Sequence, residues 1–284
     1  MPSISLPAPA KINLFLHVLG KRADGYHELQ TLFQLLDYGD TLTFSAHSNL
    51  RLTTTNPVLA NNDNLIMQVA KALQTASHCS EGVHIHLDKI LPMGGGIGGG
   101  SSDAATTLLA LNQLWGCKLS IEQLCDIGKQ YGADIPVFIQ GHTAWAEGIG
   151  EKLQPIDIPS KWYIVLTPDC EISTAQIFGH SELTRDTPPI TVAAFFEQGA
   201  RNDCQPLVEK LFPSVAESVN WLKNHPANAS GSARMTGTGA SVFAAFDDQS
   251  TAATVLADSP WKGFVARGVN RSSVHSLLSS AILP

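Results

Sequence analysis

The chain has 284 residues, of which 44% are hydrophobic and 15% charged, a balance that excludes disordered and fibrous classes and provides for one large α/β unit or two of ordinary domain size. Its 18 basic and 25 acidic side chains leave a formal charge of −7, which argues against general affinity for nucleic acid or anionic membranes and confines any phosphate site to a local pocket. No apolar run approaches the roughly 20 residues of a membrane span, the first residues lack a basic leader, and five cysteines without a CxxC read as reduced thiols of a cytosolic protein with no disulfide or zinc site.

In chain order, strands are predicted over 11–19, 29–36 and 40–46, with a turn at Arg22-Ala-Asp-Gly25. A helix is predicted over 64–77, where Leu65, Val69, Ala72, Leu73 and Ala76 form one stripe. Residues 82–87 alternate as a half-buried strand does. His84 and His86 then share a face and could bind a metal, although alternation with Val83, Ile85 and Leu87 already accounts for a polar face. Six glycines fall within 94–100, and a helix over 102–115 comes directly after them. Ser120 and Gln123 form a capping box for the next helix, which is predicted to end near Tyr131-Gly132. Beyond it, strands are predicted at 162–167, 241–246 and 264–269, and helices at 192–197, 206–212, 215–225 and 251–258. The proline- and charge-containing stretch 154–161 is the candidate boundary, dividing residues 1–158 from 159–284.

The strongest chemical signal is Leu91-Pro-Met-Gly-Gly-Gly-Ile-Gly-Gly-Gly-Ser-Ser-Asp-Ala-Ala105. Glycines permit positive φ and the close approach of a bulky anion, and successive amides at a helix N-terminus make a concave phosphate site. Gly94, Gly96 and Gly99 satisfy GxGxxG, yet no acidic residue ends a strand about 20 residues later to hold a ribose, as a dinucleotide site requires. The glycines lack a following GK[ST], and neither HRD nor DFG occurs, so an ordinary P-loop and a protein kinase are both excluded. Ser101 and Ser102 stand where hydroxyls could meet phosphate or phosphate-bound Mg²⁺.

The segment Pro92 to Ala105 resembles the ATP loop of the GHMP kinases in its longer glycine-rich form. Pro9-Ala-Lys-Ile-Asn-Leu-Phe-Leu16 with Arg22-Ala-Asp-Gly-Tyr-His27 resembles an N-terminal motif of that family, and Met235-Thr-Gly-Thr-Gly-Ala-Ser-Val-Phe243 resembles its third motif. The blocks fall in family order and span most of the chain. The resemblance implies an α+β, two-domain fold with the active site in the cleft between domains. It implies a cytoplasmic small-molecule kinase using ATP with Mg²⁺ on an alcohol that carries cytidine diphosphate, with no nucleic-acid or membrane partner, as a monomer or homodimer.

Residue by residue, the resemblance makes Asp134 the base for the hydroxyl proton and Lys11 its cationic partner. The residues alone leave Asp134 equally readable as a helix cap before Pro136, and favour Lys11 as a surface lysine at a strand start, an order that the resemblance reverses. It places Asn64 and Lys89 beside adenine, and Pro92, Met93, Gly94, Gly95, Gly96, Ile97, Gly98, Gly99, Gly100, Ser101 and Ser102 around the phosphates. Asn13, Tyr26 and His27 take the cytidine side, with Tyr26 stacking; by itself Tyr26-His27 reads as a turn with amphipathic side chains. Phe33, Thr174 and Phe178 match the same pocket, although Ala175 follows Thr174 where some relatives carry proline. The Mg²⁺ ligands are open among Ser101, Ser102, phosphate and water. Other readings are a GHMP kinase for a different alcohol, which would lack Tyr26-His27, a NAD-binding oxidoreductase, which lacks its acidic ligand, and a noncatalytic nucleotide module, which has no use for both Lys11 and Asp134.

Overall fold

A computed structural model describes residues 3–280. Two long strands, β1 (Ser3–Lys21) and β2 (His27–Ser45), form an antiparallel pair that runs from Ser3 opposite Ser45 to Lys21 opposite His27. β2 is one strand where two were predicted, because Asp37-Tyr-Gly-Asp40 has turn-like composition but Gly39 and Asp40 are held extended by pairing with Pro9 and Ala8 of β1. Gly39 makes this possible: a Cβ there would stand 2.1 Å from the Ala8 carbonyl oxygen. The ladder is irregular between Pro9 and Lys11 and again between Asn13 and Leu16, and such bulges re-aim side chains.

The short strand β3 (Leu50–Thr54) pairs in parallel with β4 (Val83–Asp88). Between them lies α1 (Leu65–Ser77), whose N-cap Asn64 accepts from the Ile66 amide. The glycine segment leads into α2 (Gly99–Leu114), followed by α3 (Ile121–Gly128), which has both bonds of the expected capping box, and by α4 (Ile135–Gln140). Then come β5 (Ala144–Gly148), β6 (Lys152–Pro155), β7 (Trp162–Thr167), α5 (Thr174–Gly179) and α6 (Val192–Gln198). The last third contains α7 (Gln205–Leu211), α8 (Pro213–Asn224), β8 (Arg234–Met235), β9 (Val242–Phe246), α9 (Gln249–Ala257), β10 (Lys262–Val269) and α10 (Val274–Ser280). The sheet order is β3-β4-β2-β10-β7-β9-β8, with β1 and β5 also on β2 and β6 on β5.

Two cores result. Leu35, Phe44 and Ile85 of the sheet pack against Ile66 of α1, Leu108 of α2 and Ile135, and Val274 and Leu278 of α10 return to this core from the far end of the chain. Ile164 and Ala244 pack against Leu207, Val219 and Val255 of α7, α8 and α9. Between them Ala10, Ile12, Ile97, Val165 and Phe243 form a smaller cluster. Ile97 is therefore the apolar anchor of the glycine segment, and it is 1% exposed. α2 is buried along most of its length rather than on one stripe, so it is the central helix of the first core. Among the described residues no helix is long and apolar enough to cross a membrane, and all five cysteines are free.

The close crossing at Gly39 has a measurable consequence. Gly39→Ala is expected to destabilise the protein by about 1–3 kcal/mol, the usual cost of overpacking, seen as a lower urea midpoint at unchanged slope.

Candidate active site

Lys11 and Asn13 lie two apart on β1 and so share one face. The Lys11 side chain is 3% exposed, and its ammonium lies 3.0 Å from Asp134 Oδ2. It also donates to Asn13 Oδ1 at 2.7 Å and to the Gly96 carbonyl at 3.3 Å, and it stands 5.1 Å from the centre of the Phe33 ring. A buried ammonium is tolerated only with this kind of compensation. Asp134 occupies the cap position of α4, yet its side chain makes no cap hydrogen bond. The carboxylate is turned onto Lys11 instead, and it remains one-third exposed.

The glycine segment is pinned through its carbonyls. Lys11 N–H donates to Ile97 O, Ser241 N–H to Gly95 O, and the Thr236 hydroxyl to Gly96 O. Gly98 opens α2 in the left-handed region at φ 75°, with no side-chain cap and no acidic residue in the first helical turn. A Cβ on Gly98 would meet the Phe138 ring at 2.8 Å and Lys11 Cε at 3.2 Å. The result is a bare helix N-terminus whose amide donors and positive dipole end suit an anion.

Beneath it is a second buried charge system. Lys89 Nζ donates to Asp40 Oδ2 at 2.5 Å and to Asp103 Oδ2 at 2.7 Å, and Asp40 Oδ1 accepts from the Ile90 and Leu91 amides. Burial pushes the Asp103 carboxyl up to about 7 against the pull of Lys89. Burial would lower Lys89, but Asp103 and Asp40 outweigh it and hold it above the ordinary lysine value. Lys89, expected beside adenine, thus faces the cavity with its charge already matched by two carboxylates.

Two cavities flank the glycine segment. One, of about 420 Å³, is lined by Asn64, Lys89 and residues 92–101. The other, of about 280 Å³, holds Lys11, Asn13, Phe33, Asp134, Thr174 and Phe178. Gly96, Gly98 and Ser101 line both. Ser102 is fully buried, lies on neither cavity wall, and its Oγ has no partner. Tyr26 and His27 are not on the second cavity's wall. Tyr26 is 61% exposed, and His27 stacks on Phe178 with ring centres 5.1 Å apart.

Sequence reasoning missed Thr31, Gly150 and Thr238 on this wall. Thr238 bonds the Thr174 hydroxyl at 2.9 Å, and the Gly237-Thr-Gly of the third motif was the available signal for it. His84 and His86 both contact the Thr53 hydroxyl, at 2.8 and 2.9 Å, and among the described residues no group of three His, Cys, Asp or Glu is placed to hold a metal.

An anion cradle that shares one thin wall with a pocket holding a carboxylate–ammonium pair belongs to a small-molecule kinase. Known proteins agree. The profile for the GHMP kinases N terminal domain matches residues 64–142, and that for GHMP kinases C terminal matches 190–258. The 4-diphosphocytidyl-2-C-methyl-D-erythritol kinase of Marinobacter nauticus is 51% identical over 97% of this chain and 98% of its own length. The enzyme of the same name from Shewanella loihica is 52% identical over 95% of both. A crystal structure of 4-(cytidine 5'-diphospho)-2C-methyl-D-erythritol kinase superposes with a TM-score of 0.81 at 30% identity, covering 93% of this chain and 99% of that one. A homoserine kinase from Cytophaga hutchinsonii, at 15% identity and TM-score 0.67 over 96% of both chains, shares the fold. The chain belongs to the GHMP kinases, in the family of the 4-diphosphocytidyl-2-C-methyl-D-erythritol kinases.

The glycines differ in what they tolerate. At Gly96 (φ 72°) a Cβ would strike the Thr236 carbonyl at 2.4 Å, whereas at Gly100 it would meet only Leu65 Cδ1 at 3.7 Å. Gly100→Ala should therefore leave thermal stability unchanged or slightly raised, since alanine favours a helix by up to about 1 kcal/mol over glycine. It should raise the KM for ATP while the KM for the alcohol substrate stays within about twofold, because Gly100 lines the first cavity and not the second.

Proposed function

We propose that this protein transfers the γ-phosphoryl group of ATP to the 2-hydroxyl of 4-diphosphocytidyl-2-C-methyl-D-erythritol, giving the 2-phosphate and ADP in the non-mevalonate route to isoprenoid precursors. The observation that carries this reading is the Lys11–Asp134 pair at 3.0 Å, placed in a cavity that shares Gly96, Gly98 and Ser101 with the anion cradle. Phosphoryl transfer asks a protein mainly for alignment and for charge stabilisation. The shared wall supplies the first, since a nucleotide whose phosphates lie on the amides of the glycine segment ends beside a hydroxyl held over Asp134. Lys11 supplies the second.

In this reading residues 1–158 carry the nucleotide cradle and residues 159–284 the remaining wall of the cleft, and the protein works in the cytoplasm as a monomer or homodimer. The Asp134 carboxylate accepts the hydroxyl proton as the new oxygen–phosphorus bond forms and the bond to ADP breaks. Lys11 holds Asp134, Asn13 and the Gly96 carbonyl in register and offsets negative charge on the transferring group. Asn64 and Lys89 frame the base-binding end of the first cavity, with Pro92 and Met93 at its lip. Asn13, Phe33, Thr174 and Phe178 enclose the acceptor substrate, and the exposed Tyr26 ring beside His27 offers a stacking face for cytosine. The residues present fit Mg²⁺ at Ser101, which lines both cavities and can offer its hydroxyl oxygen, whereas Ser102 is buried away from both. Bound there with phosphate oxygens and water, the ion would neutralise phosphate charge.

ADP release that depends on the cytidylylated alcohol, and not on homoserine or mevalonate, tests the substrate assignment directly. For the chemical step, Asp134→Asn keeps the size and removes the basic oxygen. Its kcat should fall by about 10²–10⁴, the usual worth of general-base assistance, with ATP affinity little changed. Lys11→Met should also cut kcat, and the double variant should lose less than the sum, as groups serving one proton transfer do. Near-normal single-turnover phosphorylation by Asp134→Asn would remove it from the mechanism. Tyr26→Ala should raise the KM for the cytidylylated substrate by about 5- to 150-fold, the equivalent of a 1–3 kcal/mol stack, and leave that for ATP alone.

A further inference from the structure

Arg185 lies in the irregular segment between α5 and α6, and every one of its guanidinium donors is engaged. Nη1 donates to the carbonyls of Leu183 (3.1 Å) and Ser181 (3.5 Å), and Nη2 to those of Phe178 (2.9 Å) and His180 (2.6 Å). The remaining donor, Nε–H, points at His27 Nε2 at 3.0 Å. Four carbonyls thus fix the plane of the guanidinium, and that plane fixes the direction of the fifth bond. Phe178, whose carbonyl is one of the four, lies in the last turn of α5, and the His27 ring is stacked on it at an interplanar angle of 29°.

A guanidinium has no acceptor and does not lose a proton in a protein. His27 Nε2 must therefore present a lone pair, and the neutral ring must carry its hydrogen on Nδ1. Among the described residues no protein group is hydrogen-bonded to Nδ1. The surroundings keep the ring neutral: burial lowers the His27 pKa, and the cations Arg185 and Lys21 lower it further. Lys21 faces it from β1, directly opposite in the ladder.

We infer that Arg185 is a positioning residue that locks His27 in its Nδ1–H tautomer, so that the only polar function His27 offers a bound ligand is a single donor. The ligand edge that meets it must be an acceptor. This rests on the reading of the adjoining cavity as the site of a cytidine-bearing substrate. It adds a rule: a pyrimidine is read there through a lone pair, at a ring nitrogen or a carbonyl, and a base that turns an N–H toward His27 is rejected because two donors would face each other at a buried ring.

The test has a spectroscopic arm and a kinetic arm. In the ligand-free wild-type protein near neutral pH, the ring ¹⁵N shifts of His27 should show an unprotonated Nε2 and a protonated Nδ1. In Arg185→Gln the lock is released, so the tautomers should mix and the His27 pKa should rise. A wild-type ring protonated on Nε2 overturns the inference whatever the substrate is. In kinetics, Arg185→Gln should raise the KM for 4-diphosphocytidyl-2-C-methyl-D-erythritol by about 10-fold, the worth of one hydrogen bond made against an otherwise unpaired group, with kcat and the KM for ATP within about twofold. In a His27→Ala background the same substitution should have no further effect on that KM. A loss that persists in that background would show that Arg185 only holds its loop. If the wild-type enzyme fails to phosphorylate the cytidylylated alcohol, the functional assignment falls while the ¹⁵N measurement still decides the role of Arg185.

Discussion

The site is organised around the burial of one ammonium group. Lys11 leaves solvent almost completely, and an unmatched charge in that position would cost several kcal/mol. Its acceptors come from β1 itself, from the glycine segment and from the start of α4. Each acceptor is held in turn. Asn13 also donates from its side chain to the Thr31 hydroxyl and from its amide to the Thr236 hydroxyl, and Thr236 reaches the same Gly96 carbonyl that Lys11 uses. Satisfying one cation has therefore brought together the first strand, the glycine segment and the third motif, which are far apart along the chain.

The cavity on the other side of the glycine segment obeys a related constraint with the signs distributed differently. Two buried carboxylates share Lys89, and Asp40 spends its other oxygen on the amides of Ile90 and Leu91, where the glycine segment begins. An excess negative charge under an anion site would work against binding. Burial raises the Asp103 pKa, which lessens that conflict without giving up the hydrogen bonds that fix the entry to the segment. Rigidity at this place matters because backbone amides can select a phosphate only if their directions are set beforehand.

Much of this was legible in the sequence, and the parts that were not share a cause. The glycine segment, the Ser120–Gln123 capping box and the strand Trp162–Thr167 were readable because local composition determines them. The continuity of β2 was hidden, since Asp37-Tyr-Gly-Asp40 looks like a turn until β1 is laid beside it. β3, β5, β6, α5 and α10 are short and lack a distinct local pattern, and their stability comes from neighbours. At the site, the family resemblance and not the residue types pointed to Lys11 and Asp134, and whether Asp134 caps α4 or faces Lys11 depends on β1, which lies far back along the chain. The matched charge of Lys89 and the role of Arg185 were invisible for the same reason: both are defined by carboxylates or carbonyls that only folding collects.

The wall made by Gly96, Gly98 and Ser101 is a single stretch of main chain with a cavity on either face. Two compounds that each occupy one side with modest affinity could be joined across it by a short tether. The second would then bind at the high local concentration set by the tether rather than at its concentration in solution. Side chains at the junction are nearly absent, so such a hybrid would owe its hold to backbone direction, which a point mutation alters far less readily than it alters a side-chain contact.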